Sequence, residues 1–223
     1  QKSVWETFDA AKVARYFAVT DLMNAQHGLI WHNQRWYYNP VISKLEPIGF
    51  DGFTDVGPLL WIDKPFIGFS RNIRYMSAGY REMMFERFFH DPKFLELYIG
   101  TLFKFTDPAY INAFYNEIEP QIAYYEGVLQ EEWPDYQFDR KAFFDRAQSL
   151  RLLLQPLQKT SVKAFLQGKT DKGYHYRVYN FHCLPVILAG VGKKQDKSDA
   201  PFSDEKLLDA YNNEYPAEYL DVY

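Results

Sequence analysis

The chain has 223 residues, 47% of them hydrophobic, 24% charged and 19% aromatic, and 29 Asp and Glu against 25 Lys and Arg leave a formal net charge of -4. That length suits one large domain or one and a half, able to bury a core without disulfides or metals. The acidic balance excludes a broadly basic nucleic-acid surface, and the single cysteine, Cys183, excludes an internal disulfide framework and a cysteine-rich zinc site. No run approaches the roughly 20 apolar residues of a membrane span. Gln1 to Thr7 are polar and carry no apolar core of a signal peptide. Because the sequence opens without Met, we expect a mature protein or a piece of a longer one. The aromatic residues are spread through every segment. We expect most of them in the core, with amphipathic Tyr on helix surfaces; platforms for sugars or bases are the alternative.

In chain order, residues 9–24 predict a helix. Val13, Tyr16, Phe17 and Leu22 fall near one face, and Asp9 can cap the start. Gly28 then punctuates the chain. Trp36, Tyr37 and Tyr38 predict a short aromatic strand, Asn39-Pro40 a turn, and Lys44 to Phe50 a second strand, with Pro47 at an edge or bulge. This hairpin delivers Asp51 at its end. Residues 51–80, rich in Gly, Pro and aromatics, predict a long irregular loop of the kind that often carries function. Helices dominate from about residue 80.

Asp91-Pro92 and Asp107-Pro108 are N-cap plus first-turn proline signatures. The second opens a long helix that Pro120 is expected to kink or break. Asp139 predicts the cap of a helix running to about residue 167, interrupted at Pro156. From Gly168 the pattern changes. Tyr174 to Phe181 alternates as a strand, Leu184 to Val191 is a continuous apolar strand, residues 192–204 predict a charged linker, and 205–223 a short helix and tail. The expected organisation is α+β, mainly α, divided as 1–167 and 168–223, the second part a small β-containing segment.

Familiar motifs are scarce. Gly190-Val191-Gly192-Lys193-Lys194 lacks the upstream glycine of a phosphate loop and has Lys where Ser or Thr would bind magnesium, so it predicts a strand ending in a turn. Cys183, between His182 and Leu184, predicts a buried, inert thiol. The concentrated stretch is 27–55, which holds His27, His32, Asn33, Asp51 and Asp55. A turn after a helix presents the first three, and the hairpin presents Asp51 and Asp55. The order His27, Asn33, Asp51 follows the plan of a kinase catalytic half: a residue for the acceptor hydroxyl proton, an Asn for metal a few residues later, and an Asp for metal after a hairpin. Phosphoryl transfer needs positioning and charge neutralisation more than covalent chemistry, so few residues suffice. The plain alternative is that these are turn residues bonded to their own backbone.

The run Ala14-Arg15-Tyr16-Phe17-Ala18, His27-Gly28, Asn33, Tyr37-Tyr38-Asn39-Pro40 and Glu46-Pro47-Ile48-Gly49-Phe50-Asp51 resembles the spore coat protein H (CotH) family of atypical protein kinases. The similarity covers about residues 9–165. It implies a kinase-like C-lobe, with a short β-hairpin carrying the site and helices after it. It implies a secreted, periplasmic or cell-surface setting, and transfer of phosphate from ATP, with magnesium or manganese, to protein Ser or Thr. On that resemblance Asp51 matches the metal-binding Asp, and Asn33 the catalytic-loop Asn that binds metal and cofactor. His27 stands where the family has its catalytic acid, with His32 and Asp55 as supporting residues. Two departures follow: His27 supplies no carboxylate, and the family's N-terminal lobe has no counterpart here, so it is expected from a longer parent.

Three readings therefore stand. One is a fragment of a CotH-like kinase, inactive without its N-lobe. Another is a pseudokinase-type scaffold or cell-surface binding module, for which exposed Trp31, Trp36 and Trp61 would speak. The third is a metal-dependent hydrolase with His27, His32 and Asp51 as ligands.

Overall fold

A computed structural model describes residues 2–29, 32–52, 84–89, 91–154, 162–171, 173–180, 186–191, 200–208 and 219–222. The described elements are α1 (Val4–Thr7), α2 (Ala10–Leu22), a 3-10 turn (Gln26–Leu29), β1 (Arg35–Asn39), β2 (Lys44–Ile48), α3 (Met84–Phe89), α4 (Pro92–Phe105), α5 (Pro108–Gln130), α6 (Arg140–Leu154), β3 (Val162–Thr170), β4 (Gly173–Asn180), β5 (Val186–Val191), β6 (Ala200–Leu208) and β7 (Tyr219–Val222). The class is α+β and mostly helical.

Local chemistry starts the helices, four of them at the expected caps Asp9, Asp91, Asp107 and Asp139, while α1 was not expected. Ser3 and Glu6 form a reciprocal capping box on α1. Asp9 accepts from Lys12 N at 3.1 Å. Asp91 accepts from Phe94 N at 3.1 Å and Asp107 from Ala109 N at 2.9 Å, each with proline at the first helical position. Asp139 accepts from Lys141 N at 2.9 Å. Each side chain satisfies a donor that the helix leaves open.

One aromatic core joins the helices. Phe17 of α2 stacks on Phe89 at 5.6 Å and meets Phe88 and Phe94 edge-on at 5.7 and 6.0 Å. Phe17, Phe88, Phe94 and Tyr98 are fully buried, so Phe takes the place that Leu fills in many cores. The members of this cluster all lie between Val4 and Leu154.

The hairpin is tied to this core at its open side. β1 and β2 pair antiparallel, Trp36 opposite Pro47 and Tyr38 opposite Leu45. Trp36 packs edge-on against Phe8 at 5.2 Å, Asp9 N donates to Leu45 O at 2.9 Å, and Lys12 Nζ meets Glu46 at 2.6 Å. Pro47 lies in a two-stranded sheet, where each strand is an edge and a missing donor is tolerated.

The second half differs from the sequence expectation in four places. Helix α5 runs unbroken through Pro120. Proline removes a donor and crowds the preceding turn, but residues 116 and 120 are both exposed, so water can serve the orphaned carbonyl. Residues 162–167 form strand, not helix: β3 pairs with β4 from Val162↔Asn180 to Thr170↔Gly173, with a bulge at Leu166/Gly168. Residues 200–204, expected as linker, and 205–208, expected as helix, are the two halves of β6, which pairs with β5. The chain's end adds β7 to β4. Cross-strand pairing, invisible in local pattern, decides these segments. A second, small apolar cluster forms there around buried Val178, with Val162, Tyr176 and Leu188. The expected loop over 51–80 lies outside the described residues beyond Gly52, as do Pro156 and Cys183.

Candidate functional site

The site is assembled by two close approaches. After α2, Asn24 turns the chain with a left-handed φ of 52°, and the 3-10 turn carries His27 and Gly28. Leu29 anchors that turn in the core. At the hairpin's far end Asp51 adopts φ 51°, a conformation that Asp tolerates better than most residues. A Cβ on Gly28 would stand 2.9 Å from Phe50 O and 3.2 Å from Gly52 Cα. Glycine here lets the hairpin end lie directly against the turn. The half-buried hydroxyl of Tyr16, which partial burial pushes above its ordinary pKa, donates to Gly28 O at 3.4 Å and holds the same turn from the helix side.

Asn33 is buried at the centre. Its Nδ2 lies 3.0 Å from Asp51 Oδ2, 3.0 Å from His27 O and 3.0 Å from His27 Nδ1. His27 Nδ1 lies 3.1 Å from Asp51 O and 3.3 Å from Asp51 Oδ2. An amide nitrogen has two hydrogens, so these contacts constrain one another. With a proton on Nδ1, His27 donates to Asp51, Asn33 donates to Asp51 Oδ2 and His27 O, and the ring's lone pair sits on Nε2. The imidazole is then oriented by a carboxylate, the arrangement that suits a proton acceptor.

Three of the expected residues, His27, Asn33 and Asp51, thus meet across up to 24 positions of sequence. His32 is exposed, and its carbonyl accepts from Arg35 Nη1 at 2.7 Å. Asp55 lies outside the described residues. No group of three or more His, Cys, Asp or Glu that could hold a metal ion occurs among the described residues. A magnesium-type ion needs only one or two protein oxygens and completes its shell with phosphate and water. Asp51 offers a carboxylate. Asn33 now presents its amide nitrogen, so it would serve as a ligand only with the amide turned to offer Oδ1. Of the tryptophans named as discriminators, Trp36 is half-buried against the core and forms no exposed ridge, while Trp31 and Trp61 lie outside the described residues.

A second polar cluster was not expected. Asp21 of α2, Tyr98 of α4 and Arg146 of α6 are all buried. Tyr98 donates its hydroxyl to Asp21 Oδ2, and Arg146 Nε donates to Asp21 O at 3.2 Å. Burial lowers the pKa of Arg146, while the nearby Asp21 and Tyr98 act in the opposite sense. A signal for it exists. Asp21 lies four places after Phe17, and Arg146 three after Phe143, so each puts a charge on the apolar face of its helix. This cluster joins three helices and has the character of a structural joint.

No family model matches the chain, and no curated protein or solved structure matches it. Among the described residues no helix is long and apolar enough to cross a membrane.

Proposed function

We propose that this chain carries the catalytic half of an atypical protein kinase of the CotH type, which moves the γ-phosphoryl group of ATP to a protein Ser or Thr. The single observation that supports this reading is the meeting of His27, Asn33 and Asp51, in the order a kinase uses, at the junction of a helix-following turn and a hairpin end. Asp51 and Asn33 are the residues to hold magnesium or manganese, which when bound neutralises charge on the phosphates. His27, its Nδ1 held by Asp51, takes the hydroxyl proton at Nε2 as the acceptor oxygen bonds to phosphorus and the bond to the β,γ-bridging oxygen breaks, releasing ADP. The reading carries with it a secreted, periplasmic or cell-surface setting and a nucleotide-covering lobe beside this one.

The test is transfer of labelled phosphate from ATP with magnesium or manganese, on the longest natural chain that contains this sequence. Asp51→Asn should abolish transfer, and His27→Ala should slow it by about 100-fold or more. Absence of both transfer and metal-dependent ATP binding in the unmodified chain would overturn the reading. One observation favours the alternative of a non-catalytic, pseudokinase-type scaffold. Asn33 gives one N–H to the very carboxylate that a metal would need and the other to His27 O, so the cluster already satisfies itself. On that view the cluster pins the hairpin, and ATP binding is absent.

A further inference from the structure

Helices α5 and α6 form an antiparallel hairpin, with Tyr115 against Phe144 near one end and Glu126 against Phe138 near the other, and its outer end carries exposed rings. Only Ile111 and Tyr115, near the start of α5, are buried in that helix. Beyond them Tyr124, Tyr125 and Trp133 are 66%, 63% and 55% exposed, with Val128 and Phe138 also exposed. The end is nevertheless held in shape. Trp133 N donates to Leu129 O at 2.8 Å, Gln130 Nε2 to Tyr136 O at 2.9 Å and Phe138 N to Glu126 Oε1 at 2.7 Å. Arg140 pairs with Glu119 at 2.7 Å and closes the hairpin at its base. The exposed rings therefore stand on a fixed frame.

The charge there is one-sided. Residues 124–138, which span the tip, hold Glu126, Glu131, Glu132 and Asp135 and no Lys, Arg or His. Glu117, Glu131, Glu132 and Asp135 make no ion pair among the described residues. We propose that this acidic, aromatic tip is a docking surface for a Lys- or Arg-bearing segment of a partner protein. Exposed Tyr and Trp rings attract cations through their faces, and the surrounding carboxylates add attraction of the same sign. The same charge argues against the other occupants. A second copy would bring the same carboxylates face to face, and an anionic lipid surface would be repelled.

The test is fluorescence anisotropy of a labelled 12-residue peptide bearing alternating Lys and Arg among Leu, beside a version with Gln at the basic positions. It is run on the full chain at low and high salt. The basic peptide should bind and weaken as salt rises; the Gln peptide should not bind. Replacing the rings (Tyr124→Ser, Tyr125→Ser and Trp133→Ser together) should weaken binding by about tenfold. Tyr124→Phe with Tyr125→Phe should preserve binding, since the ring faces remain. Replacing charges (Glu131→Gln, Glu132→Gln and Asp135→Asn together) should weaken it by a similar factor. Absence of binding at low salt would overturn the proposal. So would binding that the ring variant leaves unchanged, which would be bare charge attraction. A concentration-dependent dimer lost in the ring variant, which the basic peptide does not disperse, would also overturn it in favour of self-association.

Discussion

Gly28 is where a single methyl group decides the site. Its missing Cβ would press on backbone atoms of residues 50 and 52, which cannot swing aside as a side chain can. Gly28→Ala should therefore cost about 1–3 kcal/mol in denaturant unfolding, the range of overpacked interiors. It should also shift the amide resonances of Asp51 and Asn33 in spectra of the folded chain; unchanged resonances would show that the close approach is not needed. Glu46 is the other informative residue. Lys12, then Asn39, bond to its carboxylate and hold its pKa below the ordinary value. A depressed carboxylate contributes stability above its unfolded pKa, about 4.3, and loses it as pH falls through the folded value. Glu46→Gln should thus be less stable than the unmodified chain at neutral pH. The gap should close below about pH 4, read from denaturation midpoints across pH. A gap independent of pH would mean that Lys12 and Asn39 act through geometry rather than charge.

At the scale of elements, the joint of α2, α4 and α6 is the place to look. Arg146 is buried, which lowers its pKa, while Asp21 and Tyr98 act in the opposite sense. Arg146→Ala removes the guanidinium beside the buried Asp21 and leaves Asp21 O without its donor, which should destabilise the fold by about 1–3 kcal/mol. Replacing Asp21→Leu together with Arg146→Met should recover most of that loss, because an apolar pair of similar volume needs no compensation. Failure of the double variant to recover would show that the charges themselves specify how the three helices meet. Four helix starts were legible from sequence at this scale, because capping is local: Asp9, Asp91, Asp107 and Asp139 each bond within three residues. The strand identity of 162–167 and 200–208 was not, because it depends on partners at 175–180 and 186–191.

Among the described residues, the main core draws on residues between Val4 and Leu154, while Val162, Tyr176 and Leu188 pack around Val178 in a separate small cluster. A chain ended after Thr160 should keep its helical circular dichroism and unfold in one cooperative transition. A broad, non-cooperative melt would show that the strands are part of the same folding unit.

The sequence by itself determined the helix starts, the β1–β2 hairpin and the order His27, Asn33, Asp51, because caps, turns and spacing are properties of neighbouring residues. Only the tertiary structure decided that Asn33 stands between the other two and that Asp21 and Arg146 meet inside the fold. These depend on how α2, the hairpin and α6 pack. Packing is fixed by side-chain volume and burial across distant segments, which no local pattern records.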